Sequence, residues 1–224
     1  WGYIMALSKF NFNSFDVTTA ASTGLGFNAS ANGFSTINPG AMTLIKTVTA
    51  SNASGVEFVH GSSDVVLDNT YPIYLFKFIN IHPVTDNVNL QIYFSTNSGS
   101  GYSIATQTTY FVAYHDEADS ATTLDYFTGS DAANQTGGAN FMSNVGNDND
   151  QGGCMEFFLF NPSSTTFVKH FISRSQYAHQ SDYSQNVYVS GYANTTSAVN
   201  GVKWTYSSGN VDSATVKLYG IKDS

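Results

Sequence analysis

Across residues 73–81 apolar side chains fall on both faces of an extended chain. Ile73, Leu75, Ile79 and Ile81 point one way, and Tyr74, Phe76 and Phe78 the other. A half-exposed strand alternates apolar with polar, so this pattern predicts a strand covered on both sides. Pro83, which has no N–H to donate, and the turn-favouring Asp86-Asn87 pair end it. Leu90, Ile92 and Phe94 then alternate with Gln91, Tyr93 and Ser95. The two segments are expected to form a central antiparallel pair, with their sequence neighbours as further partners.

Elsewhere the same period recurs at short intervals. Met42, Leu44 and Val48 alternate with threonines, residues 56–60 and 102–104 are short strand candidates, and Tyr110, Val112 and Tyr114 share a face. Residues 154–160 are again apolar on both faces, and 167–172 forms the next candidate. Val187 and Val189, then Val202, Trp204 and Tyr206, then Ala214, Val216 and Leu218 line three closing strands. The result is about ten short strands and no helical period, which predicts an all-β, antiparallel sandwich over residues 41–224. Residues 116–153, rich in Asp and Gly, lack strong alternation. They are expected to be a long, exposed loop insertion with a short strand or helix near 124–128. Residues 1–40 are expected to be an extended N-terminal arm. Between residues 9 and 40, Phe10, Phe12, Phe15, Phe27 and Phe34 are spaced along a thread of Asn, Ser, Thr, Ala and Gly, a pattern that fits docking into a groove better than a solvated tail.

Composition sharpens the picture. Only 11% of the 224 residues are charged while 15% are aromatic, which argues against disorder and for uncharged polar surfaces suited to subunit contact. The net charge of −8 disfavours a nucleic-acid or anionic-membrane partner, and no apolar run reaches the roughly 20 residues of a membrane helix. Cys154 is the single cysteine, expected to be a small buried hydrophobe, and it excludes an intrachain disulfide. Met5 at the head of Met5-Ala-Leu-Ser-Lys9 has the look of a translation start, with Trp1 to Ile4 as an upstream extension.

Candidate chemistry is sparse. His60, His82, His115, His170 and His179 are scattered, and none sits in a nucleophile motif. Zinc would need His and Cys at short spacing, which is not found. Asp148 and Asp150 offer the best calcium candidate, but the twelfth position of that frame is Leu159 where a glutamate is required. His115 with Asp116, Glu117 and Asp119 reads as a solvated acidic turn, and no carboxylate pair is marked for glycoside hydrolysis. Trp204 reads as core and not as a sugar platform. The acceptor-like triplets at Asn28, Asn52, Asn134 and Asn194 carry little weight in a chain so rich in Asn, Ser and Thr. No catalytic, metal or cofactor residue is therefore assigned, and no cofactor is expected.

Four stretches carry a resemblance. Leu159-Phe-Asn-Pro-Ser-Ser-Thr-Thr-Phe-Val-Lys-His-Phe-Ile-Ser-Arg174, the closing residues 208–222, and Tyr74-Leu-Phe-Lys-Phe-Ile-Asn-Ile-His-Pro-Val-Thr-Asp86 resemble virion structural proteins of marine bacteriophages, as does the Met5 to Lys9 opening. The resemblance covers nearly the whole chain from Met5 and brings no catalytic motif. It implies a jelly-roll-like β-sandwich on the virion exterior, made in the host cytoplasm, as capsid decoration or as a tail or fibre appendage. Its implied partners are copies of itself and other virion proteins. The alternative is a lectin-like tail protein that recognises a host surface glycan through aromatics and carboxylates within residues 116–153. An enzyme acting on polysaccharide would instead need paired carboxylates in a cleft.

Overall fold

The computed structural model describes residues 24–27, 30, 34–37 and 40–222, and every regular element among them is a strand. The chain divides into two compact units, Trp1–Ala41 and Met42–Ser224. In the first, β1 (Gly24–Phe27) and β2 (Phe34–Ile37) form an antiparallel hairpin in which Phe27 stands opposite Phe34, their rings stacked at 5.2 Å. Phe10, Phe12 and Phe15 lie outside the described residues.

The second unit contains β3 (Met42–Ala53), β4 (Val56–Val59), β5 (Ile73–Pro83), β6 (Val88–Ser95), β7 (Thr106–Asp116) and β8 (Thr122–Tyr126). It continues with β9 (Ala139–Val145), β10 (Gly153–Phe160), β11 (Lys169–His179), β12 (Tyr183–Ala193), β13 (Gly201–Tyr206) and β14 (Val211–Ile221). One layer runs β3-β14-β5-β10 and the facing one β4-β13-β6-β9, all antiparallel. Counting those eight strands in chain order, the layers read first-eighth-third-sixth and second-seventh-fourth-fifth, which is the jelly-roll order. Two hairpins are inserted into it, β7–β8 before the fifth strand and β11–β12 before the seventh. Both extend the first layer beyond β10, in the order β10-β11-β12-β7-β8. That layer is therefore twice as wide as the other.

Buried strand faces explain the packing. Phe76 and Phe78 of β5 meet the Trp204 ring of β13 at 4.8 and 5.0 Å, and Phe157 of β10 joins them at 5.6 Å from Trp204. Val202, Trp204 and Tyr206 are all buried, as are Ala214, Val216 and Leu218. Strands β5 and β10 are interior to their layer, but among the described residues of Met42–Ser224 no second layer covers their other apolar face. Leu75 on that face is buried, while Lys77 and Glu156 emerge beside it.

Three expectations need correction. Strands β5 and β6 do not pair: β5 lies between β14 and β10, and β6 between β13 and β9. Residues 84–87, ending at Asn87 with φ 57°, carry the chain from one layer to the other instead of closing a hairpin. Apolar alternation marks a buried face, and an arch between layers needs one as much as a hairpin does.

The second correction concerns residues 116–153: the short strand expected near 124–128 is present as β8, but the segment is not otherwise an exposed loop, because it holds a second strand, β9. β8 is exposed, but β9 buries Ala139, Phe141, Met142 and Val145 in the core. Its apolar positions break period two because the β6–β9 register shifts between Val88 and Leu90 and again between Leu90 and Gln91. Much of the remaining loop zips along β7: Phe127 N donates to Tyr110 O at 2.9 Å, Thr108 N to Ala132 O at 2.9 Å, and Thr106 N to Gln135 O at 2.9 Å. Finally, residues 102–104 form no strand, and Phe167 precedes β11 as an exposed loop residue.

The layers close where β9 meets β11. Their backbones pair only at His179–Val145, so inward side chains of β11 satisfy the rest of the β9 edge. The Tyr177 hydroxyl donates to Ser143 O (2.9 Å) and accepts from Ser143 N (2.8 Å), while Ser175 Oγ donates to Phe141 O (3.1 Å). Tyr110 OH donates to Ser143 Oγ at 3.1 Å, and Ser130 Oγ lies 2.8 Å from the same atom.

Candidate functional site

The outer face of the wide layer is where exposed chemistry collects. One continuous register row crosses it. Lys217 of β14 stands opposite Lys77 of β5, Lys77 opposite Glu156 of β10, and Glu156 opposite Arg174 of β11. Arg174 then faces Tyr188 of β12, Tyr188 faces Phe111 of β7, and Phe111 faces Tyr126 of β8. Period-two alternation sends six of the side chains outward, because their chain neighbours Val216, Phe76, Phe157, Ser173, Val187 and Val112 are buried, and Tyr126 joins that face through its ring contact with Phe111. Four members of the row are ionic and three aromatic.

Geometry within the row is specific. Lys77 Nζ lies 3.1 Å from Glu156 Oε1, an ion pair half-exposed to water. The Arg174 guanidinium sits 5.4 Å from the Tyr188 ring centroid, and Phe111 meets Tyr126 edge-on at 5.4 Å. A groove of about 600 Å³ lies over the ionic half, lined by Lys77, Glu156, Arg174, Gln176, Asn186 and Lys217. Its amides are held in place: Gln176 Nε2 donates to Ser184 Oγ at 3.0 Å and Asn186 Nδ2 to Ser175 O at 2.9 Å. Three of the eight basic residues of this acidic chain thus share one groove with one carboxylate.

Cys154 also lines this groove and is exposed, against the expectation of a buried thiol. Gly153 and Met155 take the inward positions on β10, which leaves Cys154 on the outer face.

The other sequence candidates are placed as follows. His60 Nδ1 accepts from Leu67 N at 3.1 Å, and His179 Nδ1 accepts from Ser181 N at 3.1 Å, so both are spent on local turns. His82 lies 3.3 Å from Asp212, and His115 lies 3.1 Å from Asp119. His170 stands edge-on to Tyr192 at 5.9 Å. Asp116 shapes the turn after β7: its carboxylate accepts from the Ser120 hydroxyl and from the Ala121 and Ser120 amides, which hold its pKa below the usual carboxylate value. Asp148 and Asp150 line a cleft with Glu117 and Asp182, but no group of three or more His, Cys, Asp or Glu is placed to hold a metal among the described residues. The aromatics Tyr126 and Phe127 of residues 116–153 are not among the residues lining that cleft. Lys169, buried below the sheet, donates to Phe167 O (2.6 Å) and Thr195 O (3.1 Å), and burial lowers its pKa.

Comparison with protein-family models, with curated proteins and with solved structures finds no match for this chain. Sequence reasoning missed the outer-face row because its members come from strands far apart in the chain. Only the outward parity of each residue could be read in advance.

Proposed function

We propose that the chain is a non-enzymatic structural protein of a bacteriophage virion, carried on the particle exterior in multiple copies as capsid decoration or as a tail or fibre appendage. Support comes from the sequence resemblance and from the jelly-roll order of the body, a fold that by itself serves many functions. The observation that carries the reading is β3. It is an edge strand of 12 residues with β14 as its partner within Met42–Ser224, and it contains no proline. Proteins that stay monomeric blunt such an edge with short length, charge or proline. Here β3 is long and free of proline, its one charge is Lys46, and Met42 and Leu44 are half-exposed. The N-terminal unit offers a matching element in Leu25 and Phe27, which are 51% and 72% exposed. In this reading the arm of one subunit docks beside β3 of a neighbour, and the other partners are further virion proteins.

Light scattering on the full chain tests it. The parent is expected to assemble into a closed oligomer. A Met42→Lys, Leu44→Lys double variant, or deletion of residues 5–39, is expected to shift it to monomer. A monomer at every concentration, with melting unchanged by deletion, refutes the assembly role. Turnover of a polysaccharide or ester that one Asp or Glu substitution abolishes would refute the non-enzymatic reading.

A further inference from the structure

We infer that the outer-face row of the wide layer is a binding groove for an acidic polysaccharide, with anionic groups held over Lys77, Lys217 and Arg174 and sugar rings laid along Tyr188, Phe111 and Tyr126. The inference does not depend on the virion reading. Adjacent strands lie about 4.8 Å apart, so a row that crosses strands presents one side chain per strand to a linear ligand. A polymer of rings laid across the strands therefore meets first the charged side chains and then the aromatic ones in sequence.

The charges argue for an anion. The whole chain is at −8, yet the ionic half of the row carries three cations and one carboxylate. Lys77 is partly neutralised by Glu156, which leaves Lys217 and Arg174 as the less compensated pair. Arg174 lies against the Tyr188 ring, which limits its freedom before a ligand arrives. The fixed amides of Gln176 and Asn186 add hydrogen-bonding edges suited to hydroxyl-rich rings. Single-stranded nucleic acid shares the features of charge and rings, but its bases are poor in hydroxyls, so the fixed amides of Gln176 and Asn186 favour the sugar polymer, and the oligonucleotide serves as the competing probe.

The experiment uses the full chain with polyuronate, a neutral glucan of matched length and a single-stranded oligonucleotide as probes, each titrated calorimetrically at low and high salt. Polyuronate is expected to bind and to weaken with salt, and the neutral glucan to bind far less. A Lys217→Gln, Arg174→Gln double variant is expected to lose about tenfold in affinity, from two partly exposed charges. Lys203→Gln, on β13 with its cation over the Tyr93 and Tyr102 rings, is expected to change nothing. Glu156→Gln removes the one carboxylate of the row and is expected to tighten binding, a gain that misfolding cannot imitate. Alkylation of Cys154 is expected to slow when polyuronate is bound. The inference is overturned if polyuronate fails to bind, if the neutral glucan or the oligonucleotide binds as well, or if Glu156→Gln weakens binding.

Discussion

The same chemical change, Tyr to Phe, is expected to have opposite signs at two buried positions. The Tyr177 hydroxyl makes two hydrogen bonds to the Ser143 backbone and so satisfies a part of the β9 edge that β11 pairs only further along, at Val145. Tyr177→Phe removes both and leaves a buried N–H and a buried C=O without this partner. At about 1–3 kcal/mol for each of the two orphaned groups, the loss is about 2–6 kcal/mol. Tyr206 is also enclosed, but its hydroxyl has no hydrogen-bond partner among the described residues, as is true of Trp204 Nε1. Tyr206→Phe therefore removes a desolvated group that gains nothing from the fold, and is expected to be neutral or to stabilise by up to about 2 kcal/mol. Urea unfolding of the two variants and the parent measures both. If Tyr206→Phe destabilises as much as Tyr177→Phe, the hydroxyls are equivalent and the hydrogen-bond argument fails.

Alkali provides a second check. Burial, with the neighbouring Asp68 carboxylate, pushes Tyr74 up to about 12, and burial raises Tyr110, Tyr177 and Tyr206 as well. A raised folded pKa means stability fully present below the unfolded value near 10 and lost as pH rises towards the folded value. Melting temperature should hold to about pH 9.5 and fall above 10, less so in Tyr206→Phe; a flat profile to pH 12 refutes this. Lys169, whose pKa burial lowers, runs the other way, gaining stability as pH climbs to the unfolded lysine value, but it is one group against four tyrosines. Gly191→Ala should part β12 from β7, since a Cβ there would stand 1.9 Å from Gln107 O; the expected cost is about 3 kcal/mol or more, and a melt within 1 °C of the parent would contradict it. Ser175→Ala should cost about 1–2 kcal/mol by orphaning Phe141 O, whereas Ser190→Ala on the outer face should be nearly neutral, and equal costs would refute the distinction.

Period-two alternation made the strand faces legible. β11 buries every second residue from Lys169 to Tyr177, and β13 and β14 bury the positions their apolar patterns mark. What alternation cannot carry is the partner. The β5–β6 link looks like a hairpin in sequence because both arms are apolar and a turn separates them, yet it joins opposite layers. β9 escaped notice for a different reason, since its register slips against β6 move Phe141 and Met142, adjacent in sequence, both into the core. The site was less legible still. Lys77, Glu156, Arg174 and Lys217 are isolated charges in the chain, and only the strand order brings them into one row.

The composition acquires a physical cause from the same architecture. A layer twice as wide as its partner leaves inner surface that the facing sheet cannot cover with side chains alone. Along β7 and β11 that surface meets backbone edges, those of β9 and of residues 127–135, and backbone edges call for hydrogen-bonding groups. Thr106, Thr108, Ser143, Ser173, Ser175 and Gln185 are accordingly buried where a simple sandwich would place valine or leucine. Thr108 Oγ1 accepts from Ala132 N at 2.8 Å, and Ser143 Oγ takes part in two contacts. A hydroxyl meets this need at a smaller desolvation cost than an ion. The low charge and the wealth of Ser and Thr are thus partly a property of the interior, so surface chemistry should be judged from the outer-face row and not from the overall composition.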